Sequence, residues 1–166
     1  MSSQTLKHLL IQELRDIYSA ENQTLYVLPK LAEAASSPEL RKAFQSHLLE
    51  TEEQVIRLQQ VFHILQARPG GNMCEATQGL IEEIEEILLS GYSGPVLDVA
   101  LIMAAQKVEH YEIAGYGSLR ALATACGMTD IAQLLEQTLD QEKAADERLS
   151  YLAEHEINPH AARSAR

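Results

Sequence analysis

The chain has 166 residues, 46% of them hydrophobic, with no Trp and two Phe; that is enough for one compact domain burying roughly 70% of its unfolded surface without covalent staples. Its net charge of -11 argues against non-specific binding to nucleic acid or to an anionic membrane surface, because both need clustered Lys and Arg. Abundant Leu, Ala, Glu and Gln favour helix over sheet, so the expected class is all-α.

The opening segment, Met1-Ser2-Ser3-Gln4-Thr5, lacks the charged and apolar regions of a secretory signal, and no run approaches the roughly 18 to 20 apolar residues of a membrane span. A cytoplasmic location is therefore expected. Thr5 to about Ala35 reads as one long helix whose only blemish is Pro29, which bends it or marks a break. Its inward positions at a helical period run Leu6, Leu10, Leu14, Ile17, Glu21, Leu25, Leu28 and Leu31, so one carboxylate interrupts an aliphatic row.

Ser36-Ser37-Pro38-Glu39 supplies an N-cap, a proline in the first turn and an early acid, which together start a second helix. It continues along Phe44, Leu48, Thr51, Val55, Leu58, Phe62 and Leu65 to about Gln66 and stops at Arg68-Pro69-Gly70-Gly71-Asn72. Leu80, Ile81, Ile84, Ile87 and Leu88 mark a short amphipathic connector, closed by Ser90-Gly91-Tyr92-Ser93-Gly94-Pro95. A third long helix from Val96 to Cys126 is apolar nearly all round and is expected to be the most buried element, with Gly127 as its stop. The fourth runs from Met128 or Thr129 to about Ala153, along Ile131, Leu135, Thr138, Leu139, Glu142, Asp146 and Leu149. Two helical hairpins joined by a long connection make a four-helix bundle. The bundle domain is expected to span 1–158, with a polar, fraying tail at 159–166.

Cys74 and Cys126 belong to no CxxC or Cys/His cluster, so free thiols are expected rather than a zinc knuckle or a redox dithiol. The acids are more informative. Taking an unpaired carboxylate out of water costs several kcal/mol or raises its pKa until it is neutral, so Glu21, Glu142 and Asp146 on apolar stripes call for a positive partner. The midpoint between Glu21 and Glu50 falls at the first hairpin turn, and that between Glu109 and Glu142 at the second. Each pair is thus brought to one level, about 20 Å from its turn at about 1.5 Å per residue.

His47-Leu48-Leu49-Glu50 and Glu109-His110-Tyr111-Glu112 each place two donors three residues apart, on neighbouring turns. Carboxylates lying between two cations offset their mutual repulsion, and an oxygen-rich set suits iron or manganese better than zinc or copper. Periodicity alone does not choose between Glu50 and Glu52; hairpin symmetry favours Glu50. Glu109 and Glu112 would instead lie with Arg120 on an exposed strip if the third helix has one, and Tyr18, Tyr111 and Tyr116 suit either hydrogen bonds to the acids or ordinary packing.

The segment AQKVEHYEIAGYG from Ala105 to Gly117, with Asp16-Ile17-Tyr18-Ser19-Ala20-Glu21, His47-Leu48-Leu49-Glu50-Thr51 and the run from Leu139 to Asp146, resembles the YciE/YciF branch of the ferritin-like superfamily over nearly the whole chain. The resemblance implies a ferritin-like four-helix bundle with a short extra helix in the long crossover connection, a homodimer, an association with stress responses and a di-iron-type carboxylate centre. Carried onto this chain, the metal ligands would be Glu21, His47, Glu50, Glu109, Glu112, Glu142 and Asp146, with His110 in the first or second shell. The chain departs from the ferritin pattern in which the second and fourth helices carry Glu-x-x-His, since Glu53 follows Glu50 and Ala145 follows Glu142 at that spacing. The chemistry implied is oxidation of Fe(II) by oxygen or peroxide, and the competing class is a structural or interaction protein whose acids pair with Lys107, His110 or His47 or with a second subunit.

Overall fold

The computed structural model describes residues 5–164. The chain forms α1 (Leu6–Ala34), α2 (Pro38–Leu65), α3 (Glu75–Leu89), α4 (Gly94–Ala125) and α5 (Thr129–Leu152), then a π-helical turn (Ala153–Ile157) and α6 (Asn158–Ser164). The opening residues Met1 to Gln4, read above as lacking a secretory signal, and the end of the expected tail, Ala165 and Arg166, lie outside the described residues. The rest of that tail, 159–164, is helical within α6. Among the described residues no helix is long and apolar enough to cross a membrane.

Local chemistry accounts for the helix boundaries. The Thr5 hydroxyl accepts from the His8 amide to open α1, and the helix continues through Pro29, which is on its exposed side. There the missing N–H and the ring cost least in packing. Ser37 caps α2 by accepting from the Leu40 amide, with Pro38 in the first turn. Gly127, at φ 71°, takes the left-handed conformation that ends α4 and lets the chain reverse into α5.

Short turns make α1/α2 and α4/α5 antiparallel hairpins. Glu50 meets Arg148, Gln54 meets Glu142 and Arg57 meets Thr138, so α2 and α5 also run antiparallel. It follows that α2 and α4 run parallel, and their connection must travel the length of the bundle. Helix α3 does so, packed against α1 and α4. At Gly115 the two faces of α1 and α4 come so close that an added Cβ would lie 2.9 Å from the Ile17 δ-methyl.

Two apolar clusters fill the bundle, not one. The cluster near the α1–α2 turn contains Val27, Leu31, Leu40, Phe44, Leu101 and Leu149, with Ile84 of α3. The other contains Leu10, Leu14, Leu58, Phe62, Leu119 and Leu135. Each fully buried aliphatic side chain stabilises the fold by about 1.5–3 kcal/mol. Between the clusters lies a buried polar layer holding Glu21, Thr24, His47, Thr51, Gln54, Glu109, Glu112 and Glu142.

A further expectation differs from what is observed. Helix α4 is not buried all round: Val96 and Met103 are exposed, because α1, α3 and α5 cover three of its sides and leave a fourth open. Asp98, on the same helix, is buried and grips the α1–α2 turn. Its carboxylate accepts from the Ser36 amide at 2.8 Å, the Ser36 hydroxyl at 2.6 Å and the Ser37 amide at 2.9 Å. These peptide N–H groups lie at a helix start, where no intrahelical partner exists for them.

Candidate metal centre

Helix α1 contributes Glu21 and Thr24, α2 contributes His47 and Gln54, α4 contributes Glu109, Glu112 and Tyr116, and α5 contributes Glu142. On each helix the inward face recurs every three or four residues, so these side chains stack along one line facing the bundle axis. His47, Glu109, Glu112 and Glu142 each present a ligand atom, all within 4.8 Å of one another. The His47 Nε2 lies 3.0 Å from Glu109 Oε1 and 3.9 Å from Glu142 Oε2. The shorter contact is an ion pair by distance but lacks hydrogen-bond alignment, so Nε2 is also without a hydrogen-bond partner.

Neutral groups hold the acids from behind. Thr24 Oγ1 donates to Glu112 Oε1 at 2.9 Å, Gln54 Nε2 donates to Glu142 Oε1 at 2.6 Å, and the Tyr116 hydroxyl donates to Glu21 Oε1. In each case one carboxylate oxygen is fixed and the other is left over. Glu21 Oε2, Glu109 Oε2, Glu112 Oε2 and Glu142 Oε2 are all buried with no hydrogen-bond donor apart from the proton that Glu142 can share with Glu109 and Glu112. A native interior satisfies nearly all such atoms, and each one left unpaired costs on the order of 1–3 kcal/mol. Three carboxylates and one imidazole within 4.8 Å of one another, with Glu21 buried in the same layer but outside that group, make a donor set that fits an oxygen-rich cation site once its protons leave.

The charges reflect the crowding. Burial, then the neighbouring Glu112 charge, raises Glu21 well above the usual carboxylate range, and burial with Glu109 does the same to Glu142. Burial and Glu109 push Glu112 up to about 7. Burial also acts to raise Glu109, but His47 and a hydrogen bond from Glu142 together prevail and the group is lowered. Burial acts to lower His47, yet Glu109 and Glu50 prevail and hold the imidazole well above its usual range. Without a cation the layer is thus one charged pair, His47 with Glu109, surrounded by acids that tend to stay protonated.

The structure does not bring every expected residue into this group. Glu50 stands at the flank, 3.3 Å from His47 Nδ1 and 3.6 Å from Arg148, with 24% of its side chain exposed. Glu52 is fully on the exposed side. Asp146 is displaced to the edge, receiving Gln106 Nε2 at 3.2 Å and lying 3.3 Å from His110 Nδ1, while Ala145 takes the inward position one turn from Glu142. His110 is exposed and outside the cluster, and Lys107 pairs with Glu83 on the surface.

Thr24, Gln54 and Tyr116 carry roles that the sequence reading left out or left open. Gln54 follows His47 by seven residues, as Tyr116 follows Glu109, and a seven-residue step returns to nearly the same helix face. Tyr111 packs elsewhere, donating to Asp16 at 2.8 Å and lying 3.1 Å from Cys74 Sγ. Both cysteines are free.

The chain matches the model of a family described as Domain of unknown function (DUF892) over residues 5–162. It is 45% identical over 166 residues to Protein YciF of Escherichia coli (strain K12), covering 99% of this chain and 100% of that one. The crystal structure of that E. coli stress protein superposes with a TM-score of 0.90 over 93% of this chain and 98% of its own. YcfI of Rhodopseudomonas palustris, described as a candidate structural protein, is 45% identical with a TM-score of 0.86 over 90% and 97% of the two chains. A ferritin-like, diiron-carboxylate protein of Bacillus anthracis str. Ames, 18% identical, superposes with a TM-score of 0.70 over 92% and 99%, which identifies the fold as ferritin-like.

Proposed function

The chain belongs to the DUF892 family, and on that premise we propose that it is a ferritin-like carboxylate protein holding one or two metal ions, iron first and manganese second, between its four long helices. The observation that carries this reading is the buried group of Glu109, Glu112, Glu142 and His47, with Glu21 in the same layer, in which every carboxylate keeps an oxygen with no donor from a neutral or basic group. Glu109, Glu112 and Glu142 would share the ions with His47, and Glu21 would complete the set from α1. Glu50 and Asp146, at the edges, would adjust His47 and the helix α5 side of the site rather than bind directly.

Iron bound there would supply oxidation of Fe(II) by dioxygen or peroxide. The protein's own contribution is positional. Thr24, Gln54 and Tyr116 fix one oxygen of their carboxylates and so orient the other. The apolar clusters on either side exclude water, which strengthens every charge interaction between them. Loading displaces the protons held by Glu21, Glu112 and Glu142 and the one on His47, so affinity rises with pH. The likeness to a protein named as a stress protein supports a part in handling oxidants or iron under stress, and a cytoplasmic homodimer belongs to the same proposal.

A second reading is a structural protein whose acid layer works without metal. It is favoured by the His47–Glu109 pair and by the raised pKa values of the remaining acids, which let the layer stand nearly uncharged. Elemental analysis of protein purified without chelator, then thermal unfolding with and without anaerobic Fe(II), separates the two. A native-state ligand raises the melting temperature with its concentration. No bound metal and no shift would leave the structural reading standing.

A further inference from the structure

Gln54 is fully buried in the polar layer, and its surroundings fix which way its amide points. Arg57 Nη1 donates to Gln141 Oε1 at 3.0 Å, which identifies that atom as the amide oxygen. Gln54 Nε2 then faces two acceptors, Gln141 Oε1 at 3.4 Å and Glu142 Oε1 at 2.6 Å. Its NH2 must point there, and its own Oε1 is left buried with no donor. A glutamate has the same shape, so packing does not explain why this inward position of α2 is neutral.

We infer that Gln54 is a specificity-determining residue of the cation site, whose neutral amide orients Glu142 and holds the site's charge at a value suited to divalent rather than trivalent ions. This rests on the proposed metal-binding function. Glu21, Glu109, Glu112 and Glu142 carry four negative charges when a cation replaces their protons, which balances two divalent ions, whereas the two further positive charges that oxidation of both ions creates must be balanced by anions from outside the protein. His47 and Gln54 add no negative charge. A fifth carboxylate at position 54 would move the balance towards the trivalent state.

The test is equilibrium binding of Mn(II) and of Ga(III), supplied as its citrate, to the full chain and to Gln54→Glu and Gln54→Met. Gln54→Met should weaken Mn(II) binding by roughly 10- to 100-fold, the range for loss of a group that orients a ligand. Gln54→Glu should raise the ratio of Ga(III) to Mn(II) affinity by at least about tenfold, with helical content unchanged by circular dichroism. If the wild-type protein binds the ions and both variants match it in affinity and in ratio, the role of Gln54 is overturned while the metal site stands. If the wild-type protein binds neither ion, both fall. Should Gln54→Met not fold, the affinity ratio of Gln54→Glu decides alone.

Discussion

The Nε2 of His47 on α2 lies 3.0 Å from Oε1 of Glu109 on α4, two side chains almost wholly removed from solvent. Each owes its charge to the other: Glu109 is the strongest influence raising His47, and His47 the strongest lowering Glu109. A buried pair adds little net stability, but stripping one partner leaves an uncompensated charge.

His47→Leu should therefore destabilise the metal-free protein by about 3 kcal/mol or more, the size seen when a buried pair is broken. Urea unfolding in the presence of chelator measures it. A loss below ~1 kcal/mol would mean that Glu109 simply takes up a proton at no further cost.

Metal-free protein should lose stability as pH rises. Glu21, Glu112, Glu142 and His47 all have folded-state pKa values above their ordinary ones. A group that binds its proton more tightly when folded stabilises the fold fully below its unfolded pKa, and that contribution is lost as pH climbs through the folded value. For Glu112 the window runs from the usual carboxylate range to about 7 and is worth about 3 kcal/mol. Glu109 and Glu50 are shifted the other way and lose their contribution on acidification. Melting temperatures in chelator should fall between about pH 5 and about pH 8, and saturating Mn(II) should remove most of the fall.

Replacing Glu21 and Glu142 together by Gln keeps both side chains at their size, and the new amide oxygen at position 21 can still accept from Tyr116. That pair should stabilise metal-free protein at about pH 8 by on the order of 1–4 kcal/mol, since two buried acids no longer ionise. It should also abolish Mn(II) binding. Differential scanning calorimetry and an equilibrium metal titration give the two readouts, and a variant that still binds Mn(II) with unchanged affinity would exclude these carboxylates from the site.

Asp98→Ala removes the acceptor of three hydrogen bonds at the α1–α2 turn. Two peptide N–H groups then need new partners, so the loss should be about 3 kcal/mol. Because Asp98 stands at the turn and not in the polar layer, Mn(II) affinity should stay within about twofold of wild type, as expected of distant, independent sites. Urea unfolding and a metal titration on the same preparation check both halves.

Local sequence chemistry was enough for the helices, the hairpins and the inward direction of Glu21 and Glu142. Thr5, Ser37-Pro38 and Gly127 act within one turn of chain, and an apolar repeat of 3.6 residues needs no tertiary information. The equal level of Glu109 and Glu142 followed from the hairpin alone. Even Gln54 left a signal, seven residues beyond His47, although a neutral polar residue beside Val55 and Leu58 does not stand out as a carboxylate does.

Tertiary structure decided which donors meet. Successive residues on a helix differ by about 100°, and a small rotation moves a residue across the edge of a stripe: periodicity put Asp146 on the inward face, where Ala145 stands, and left His47 and Glu50 at the edge of theirs. Only the rotation of each helix against its neighbours settles them: Ala145 and His47 turn inward, while Asp146 finds Gln106 and His110, and Glu50 finds Arg148. The grip of Asp98 on Ser36 and Ser37 was equally beyond the sequence, because it joins groups about sixty residues apart whose proximity exists only once α4 has packed along the first hairpin.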